Sequence, residues 1–467
     1  MTVASKSRPW RVPTILALAS LGLLAAVLGV ATGQSYDAIL TSPWIAILGL
    51  TAVCLGVLAD GNGFSLVSAK SWVVGYVVLQ FDVRALVLLL DNSTFKPISA
   101  LSGADLPRDV AGATWEAALG LIAFGIAHRI FTARRKKQGV DPTPAYGFNW
   151  KGAIAVVLVA LLILPIQIGT ANANGGDPTV GGDFLVALPG YAAEAVGAVA
   201  AYYIWRRPLQ AVFPFALAVV FAAARLTLLS SKEAALTLIV GLLIGYGTLH
   251  YPRGLRASTK GLIGTAVSGA AFVGALLVFA GAGTQPTSAE PVTDRVITGA
   301  GLLASRSYGT DSLISVNHYL TRSGALWGGS SISELAISWV PRQFWPDKPK
   351  SFSQRIAVSV FYYRPDAERV FVSPTIGGEG ILNFGLLGLP LFWLLFGFVV
   401  AAADSRVRMP MAIVWILVLT HTVEGALVAQ FWLGVPLILG GRAALFSSKE
   451  RPAHALAAGA AALAAEA

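Results

Sequence analysis

The chain has 467 residues, of which 55% are apolar and only 12% are charged, and its net charge is +10. A soluble chain carries about 25% charged residues, so most of this chain does not face water, and an array of soluble domains is excluded. A single cysteine, Cys54, excludes an intramolecular disulfide and a cysteine-based metal site. No two of the five histidines show metal-ligand spacing, so no metal is expected.

Apolar runs recur from one end of the chain to the other, each near the roughly 20 residues needed to cross about 30 Å of hydrocarbon. They predict an all-α, polytopic integral membrane protein with about 12 transmembrane helices. The predicted spans are 13–30, 44–59, 72–90, 114–131, 152–170, 185–205, 209–229, 233–250, 261–280, 386–403, 410–428 and 431–446. The first follows a basic start, and because many spans come after it we interpret it as an uncleaved span rather than a removed signal peptide.

The distribution of basic residues predicts the orientation, because Lys and Arg mark the cytoplasmic side of short connections. With the N-terminus in the cytoplasm, alternate connections are strongly basic, whereas the short outer ones hold only Lys96, Arg108 and Lys232. Both termini are therefore expected on the cytoplasmic side of the cell's inner membrane. The basic residues then serve as anchors against an anionic inner leaflet, and nucleic acid is disfavoured as a partner.

The chain divides into four unequal parts. Residues 1–280 form an N-terminal bundle of about nine spans, residues 281–385 a large extracytoplasmic loop, residues 386–450 the last spans, and residues 451–467 an Ala-rich cytoplasmic tail.

Charged groups inside a bilayer are costly and are functional candidates by default. The predicted topology puts nearly all of them in the outer half of the membrane, and Glu194 nearer its middle. The outer set is Asp82, Arg84, Arg225, Lys232, His421 and Glu424. An ion pathway would require charged groups through the full depth of the membrane. A cluster in the outer half instead suits an amphiphilic substrate whose polar head lies at the outer surface and whose tail lies in the lipid. Three plainer interpretations stay open: Arg84 extends to the interface, Arg225 with Lys232 forms an ordinary outer cap, and His421 with Glu424 is a buried structural pair.

The large loop is rich in polar and aromatic residues. Apolar positions from Asp311 to Tyr319 have helical spacing, and Ser330 to Trp339 is expected to form a short helix on the membrane. The segment from Val340 to Pro349 mixes prolines, aromatics and charges, which suits the membrane interface and sugar faces alike. Residues Ser373 to Gly380 are expected to form a Gly-rich turn around Glu379 that permits close backbone approach.

These last two segments carry a family resemblance. A Pro-Arg and Trp-x-Asp-Lys-Pro pattern, and a later Ser-Pro…Gly-Glu…Asn-Phe-Gly pattern before a span, resemble Wzy-type oligosaccharide repeat-unit polymerases, relatives of O-antigen ligases. The matching residues are Pro341, Arg342, Trp345, Asp347, Lys348, Pro349, Ser373, Pro374, Glu379, Asn383, Phe384 and Gly385. The Ser231-Lys232 turn after Arg225 is similar to the family's Ser-Arg or Ser-Lys step between two mid-chain spans, and the large loop late in the chain is similar too. Neither His318 nor His421 matches a family position, which leaves the general base open.

The resemblance implies a GT-C-like membrane glycosyltransferase that moves a growing glycan from polyprenyl pyrophosphate onto another lipid-linked unit. It implies no cofactor, and its partners would be the lipid-linked oligosaccharide, the bilayer and other glycan-assembly membrane proteins. Cations would stabilise the departing pyrophosphate, and a base would deprotonate the acceptor hydroxyl. The candidate ligands of the pyrophosphate are Arg84, Arg225, Lys232, Arg342 and Lys348. The catalytic candidates are Arg342 and, as the base, Glu379 or His318. The candidate glycan contacts are Trp345, Asp347 and Asn383.

Other interpretations stay open at this point. Arg342 and Lys348 also suit a surface ion-pair cluster with Asp347, and Glu379 also suits a carboxylate that stabilises its turn. The enzyme alternative is an O-antigen-ligase-like transferase. The alternative from another class is a lipid-linked-glycan transporter or flippase, which predicts charges through the full membrane depth and pseudo-symmetric halves.

Overall fold

A computed structural model gives the fold. It describes residues 40–59, 68–90, 105–136, 146–173, 184–229, 233–250, 309–338, 345, 347, 352–361, 374–406, 410–424 and 427–447. The predicted spans 13–30 and 261–280 lie outside the described residues, as do Lys232, Arg342 and Lys348.

The described chain is helical except for two short strands. In order, its elements are α1 (Pro43–Ala59), α2 (Ala69–Val77), a π-helical segment (Val78–Val83), α3 (Arg84–Leu90), α4 (Leu106–Lys136), β1 (Tyr146–Phe148), α5 (Trp150–Ala173), α6 (Phe184–Ile204), α7 (Pro208–Leu229), α8 (Glu233–His250), α9 (Gly309–Ser323), α10 (Ser330–Ser338), α11 (Phe352–Ser359), α12 (Thr375–Phe384), a 3-10 turn (Gly385–Leu387), α13 (Gly388–Arg406), α14 (Met411–Glu424), α15 (Leu427–Ala443) and β2 (Leu445–Ser447). The described residues are thus predominantly helical, which agrees with the predicted all-α fold class.

Among the described residues, five stretches are long and apolar enough to cross a membrane. They are Ala69–Leu90, Leu106–Thr132, Trp150–Gly169, Pro208–Arg225 and Thr375–Ser405, and shorter apolar helices cover Pro43–Leu58, Thr237–Tyr246 and Met411–Thr420. Large apolar side chains are exposed along these helices, for example Leu162 on α5 and Leu209 on α7. Such a surface is the one expected of helices in contact with lipid.

The two ends of the bundle are built differently. At one end, β1 and β2 pair antiparallel, with Tyr146 opposite Ser447, and so join the start of α5 to the end of α15. We call this the strand end. Helix α13 also ends there, because α14 follows it after a few residues and Met411, the first residue of α14, lies close to Gly441 of α15. We call the other end, where α4 begins at Leu106 and α9 finishes at Ser323, the loop end.

The stretch Thr375–Ser405 does not form a single rod. Helices α12 and α13 fold back on each other around the 3-10 turn, in which Gly385 has a φ of +67°. A methyl group on Gly377 would meet Leu389 and Trp393 at 3.0 and 3.1 Å, and one on Gly380 would collide with the backbone of Gly388. These contacts require an antiparallel hairpin.

The hairpin corrects the predicted Gly-rich turn around Glu379, which is wrong. Residues Thr375–Phe384 are a helix, and residues 374–383 are all buried. Glycine weakens an isolated helix, but here the missing side chains let two helix backbones come into contact. The same packing buries residues 374–383 in the bundle, although they were predicted to belong to the large loop.

Helix α9, also predicted to lie in the large loop, starts in the interior of the bundle. The Gly309 amide donates to Gln80 Oε1 at 3.1 Å, and the Thr310 hydroxyl donates to the Phe81 carbonyl at 3.2 Å. Both acceptors lie in the π-helical segment, midway along the stretch Ala69–Leu90. The first half of α9 is therefore buried among the apolar helices, and the helix reaches the loop end only at its C-terminus. The predicted helices at 311–319 and 330–339 are confirmed as α9 and α10.

Candidate functional site

A row of polar side chains joins α4 to α9 at the loop end. Asp109 and Glu116 are seven residues apart on α4 and therefore share one face of that helix. His318 Nε2 lies 2.9 Å from Asp109 Oδ2. The neighbouring Asn317 donates from Nδ2 to both carboxylate oxygens of Glu116, each at 2.9 Å.

The row borders an open cleft of about 250 Å³. Its lining consists of Leu40, Thr41, Arg108, Asp109, Gly112, Ile314, Asn317 and His318. The side chains of His318 and Asp109 are 35% and 26% exposed, and Arg108 is exposed beside them. An imidazole, a carboxylate and a guanidinium are thus all accessible to a ligand in one cleft.

These three groups have complementary chemistry. A carboxylate next to an imidazole holds the ring in place and stabilises the imidazolium that forms when the ring takes up a proton. A guanidinium binds phosphate oxygens through two parallel hydrogen bonds. The cleft can therefore take a proton from a hydroxyl while neutralising charge on an anionic group.

Helix α9 is held in place by a buried ion pair. Arg84 Nε lies 2.6 Å from Asp311 Oδ2, and Arg84 Nη2 donates to Asp311 Oδ1 at 2.8 Å. Both side chains are fully buried. Asp311 lies in the first turn of α9, where the helix dipole favours a negative charge.

This pair changes the interpretation of Arg84. The alternative that Arg84 extends to the interface is wrong, because its guanidinium is buried and engaged by a protein carboxylate. Asp82 and Arg84 were predicted to have separate partners because residues two apart do not face each other on a helix. That prediction is confirmed: Asp82 Oδ2 accepts from the Thr51 hydroxyl at 3.1 Å.

Arg225 lies in a second buried pair. Its guanidinium on α7 pairs with Glu194 on α6, and both side chains are buried. The rings of Tyr191 and Phe221 lie 5.6 and 5.9 Å from its guanidinium carbon. The two described members of the predicted pyrophosphate set, Arg84 and Arg225, therefore belong to two separate ion pairs between helices.

Glu379 and Asn383 lie on α12 in the interior. Glu379 is fully buried, and Asn383 donates to the Glu379 carbonyl and to the Ser331 hydroxyl, each at 2.8 Å. Asn383 thus connects α12 to α10. Beside Glu379, Gly378 packs against Val316 of α9, whereas His318 turns toward α4. Of the two candidate bases, His318 is the one in the accessible cleft.

The remaining candidates are more sparsely described. Trp345 is 37% exposed and Asp347 is exposed. His421 and Glu424 lie near the end of α14, and their side chains fall outside the described residues.

Four residues at the cleft were not predicted as site residues from the sequence: Arg108, Asp109, Glu116 and Asn317. The predicted span began at residue 114, so Arg108 was counted only as a charge in a connection. Helix α4 in fact begins at Leu106, which brings Asp109 and Glu116 onto one helix face. The seven-residue spacing of these two acids was the signal available in the sequence.

No protein-family model, curated protein or solved structure matches the chain.

Proposed function

We propose that the protein is a membrane glycosyltransferase that polymerises oligosaccharide units carried on polyprenyl pyrophosphate. One observation carries the proposal: the His318–Asp109 pair lies beside Arg108 in an open cleft where α9 meets the bundle. The resemblance of the segments around Trp345 and Glu379 to Wzy-type polymerases supplies the substrate class.

The reaction is a substitution at the anomeric carbon of the donor sugar. The acceptor hydroxyl oxygen forms the new glycosidic bond, and the bond between that carbon and the pyrophosphate oxygen breaks. The hydroxyl proton goes to His318, whose imidazolium Asp109 stabilises. The electron pair leaves with the polyprenyl pyrophosphate, whose charge Arg108 neutralises.

The proposal also includes the membrane arrangement. About 12 spans cross the cytoplasmic membrane with both termini in the cytoplasm, and the loop end faces outward. The polyprenyl chain then stays in the lipid while its pyrophosphate reaches the cleft. Further candidate ligands of the pyrophosphate are Lys232, Arg342 and Lys348. The candidate contacts to the glycan are Trp345 and Asp347.

Complementation of a deletion strain tests the proposal. We expect His318→Ala to reduce polymer at least about 100-fold, the usual contribution of a positioned general base, while its level in the membrane stays normal. His454→Ala, the same substitution in the C-terminal tail, is the matched control and should restore wild-type polymer. Polymer of normal amount and length from His318→Ala would overturn the assignment of His318.

The deletion strain itself separates the related activities. Loss of a polymerase leaves single lipid-linked units on the outer face of the membrane. Loss of a ligase leaves lipid-linked polymer, and loss of a flippase leaves single units on the inner face. Only the first outcome agrees with the proposed function.

A further inference from the structure

Asn317 has a fixed orientation in the cleft. Its Nδ2 faces Glu116 and donates to both carboxylate oxygens at 2.9 Å. Both Glu116 oxygens are acceptors in this contact, so a reversed amide would bring Oδ1 against them and lose both hydrogen bonds. Glu116 therefore determines which end of the Asn317 amide is held by α4 and which end is left for a ligand.

The amide end that Glu116 leaves is an acceptor. Asn317 lines the cleft next to His318, and Oδ1 accepts hydrogen bonds but cannot donate them. A ligand contact there must come from a donor such as a hydroxyl. Consecutive residues on one helix thus present an amide oxygen and an imidazole to the same cleft.

We propose that Asn317 Oδ1 binds a hydroxyl of the acceptor sugar adjacent to the one that His318 deprotonates, and that Glu116 is the positioning residue for this contact. The inference rests on the proposed function and adds to it a substrate class, an acceptor sugar with two neighbouring free hydroxyls. Asn317 acts on binding, whereas His318 acts on the chemical step.

Steady-state kinetics of the full-length protein in liposomes tests this division. The substrate probe is the lipid-linked single unit extracted from the deletion strain. Loss of one hydrogen bond to the acceptor should raise KM about tenfold and leave kcat within about threefold of wild type. We expect this result for Asn317→Ala and for Asn317→Gln, which keeps the amide but displaces its oxygen. Thr321→Ala, one turn further along α9, is the control and should match wild type.

A double-mutant cycle tests whether Glu116 acts through Asn317. Glu116→Gln can accept from Asn317 in one amide orientation and donate to it in the other, so it should raise KM about threefold. In the Asn317→Ala background the same substitution should have no further effect. Independent effects that multiply would overturn the positioning role, and a fall in kcat with unchanged KM for Asn317→Ala would overturn the binding role.

Direct binding of the extracted units separates this inference from the proposed function. Wild-type protein that binds the units without joining them would contradict the polymerase proposal. Asn317 would still be supported if its alanine variant bound the units about tenfold more weakly, and overturned if the variant bound them equally well. Absence of binding to wild type would overturn both.

Discussion

Among the described residues, two histidine–aspartate pairs join α4 to its neighbours, one at each end of the bundle. His318 meets Asp109 at the loop end at 2.9 Å, and His128 meets Asp404 at the strand end at 3.1 Å. Asp109 and His128 are both on α4 and lie about 28 Å apart along it, at about 1.5 Å per residue. The two pairs thus consist of the same residue types and share one helix, but they differ in their hydrogen-bond partners and in their exposure.

At the strand end, Asp404 is saturated with donors. Besides His128, it accepts hydrogen bonds from the Ser68 hydroxyl and from the backbone amides of Ala69 and Lys70. These amides belong to the first turn of α2, so Asp404 caps that helix from a different part of the chain. His128 and Asp404 are only 12% and 15% exposed.

At the loop end, the side chain of Asp109 has His318 as its one hydrogen-bond partner among the described residues, and both side chains face the cleft. The strand-end pair has its acceptors occupied and is mostly buried, whereas the loop-end pair leaves acceptor capacity and exposed surface for a ligand. The strand-end pair fastens helices together, whereas the loop-end pair is available for chemistry.

The largest effect should come from breaking the buried pair that holds α9 in position. Arg84→Ala removes the guanidinium that pairs with the buried Asp311 carboxylate, which costs about 3–5 kcal/mol of folding free energy. The thermal unfolding temperature of the purified protein should fall steeply, and the cleft should be lost with the position of α9. The double variant Arg84→Met, Asp311→Leu removes both charges and should recover most of the stability. A double variant no more stable than Arg84→Ala would show that the charge pair is not the source of the loss.

A smaller effect should come from the hairpin that packs against α9. Gly388→Ala introduces a methyl group against the Gly380 backbone, and such overpacking costs about 1–3 kcal/mol. Gly75 of α2 is the matched control because a methyl group there meets nothing within 4 Å. Gly75→Ala should stabilise the protein by up to about 1 kcal/mol, since alanine favours the helix. Equal unfolding temperatures for the two variants would contradict the hairpin.

Apolar length was enough to predict the simple helices. The predicted span 233–250 coincides with Glu233–His250, and 152–170 lies within Trp150–Ala173. A run of apolar residues long enough to cross hydrocarbon has few other stable structures. The bounds of these two helices therefore follow from the sequence to within a few residues.

The hairpin and the depth of α9 could not be predicted in this way. The stretch from Thr375 to Ser405 is continuously apolar, and its hydropathy is the same whether it forms one straight helix or a hairpin that turns at Gly385. The contacts that fix α9 join residues far apart in the chain, 227 positions for Arg84 with Asp311 and 209 for Asp109 with His318. Such pairings depend on tertiary packing, which local periodicity does not contain.

The same substitution at both ends of the bundle tests the central claim most directly. Initial rates of polymer formation and unfolding temperatures would be measured side by side for purified Asp109→Asn and Asp404→Asn. We expect Asp109→Asn to lower the rate about 10- to 100-fold with little change in unfolding temperature, because the amide no longer stabilises the imidazolium. Asp404→Asn should lower the unfolding temperature, since a helix cap contributes about 1 kcal/mol, and leave the rate of the folded protein unchanged. A rate that falls only in Asp404→Asn, or equally in both variants, would contradict the assignment of catalysis to the loop end.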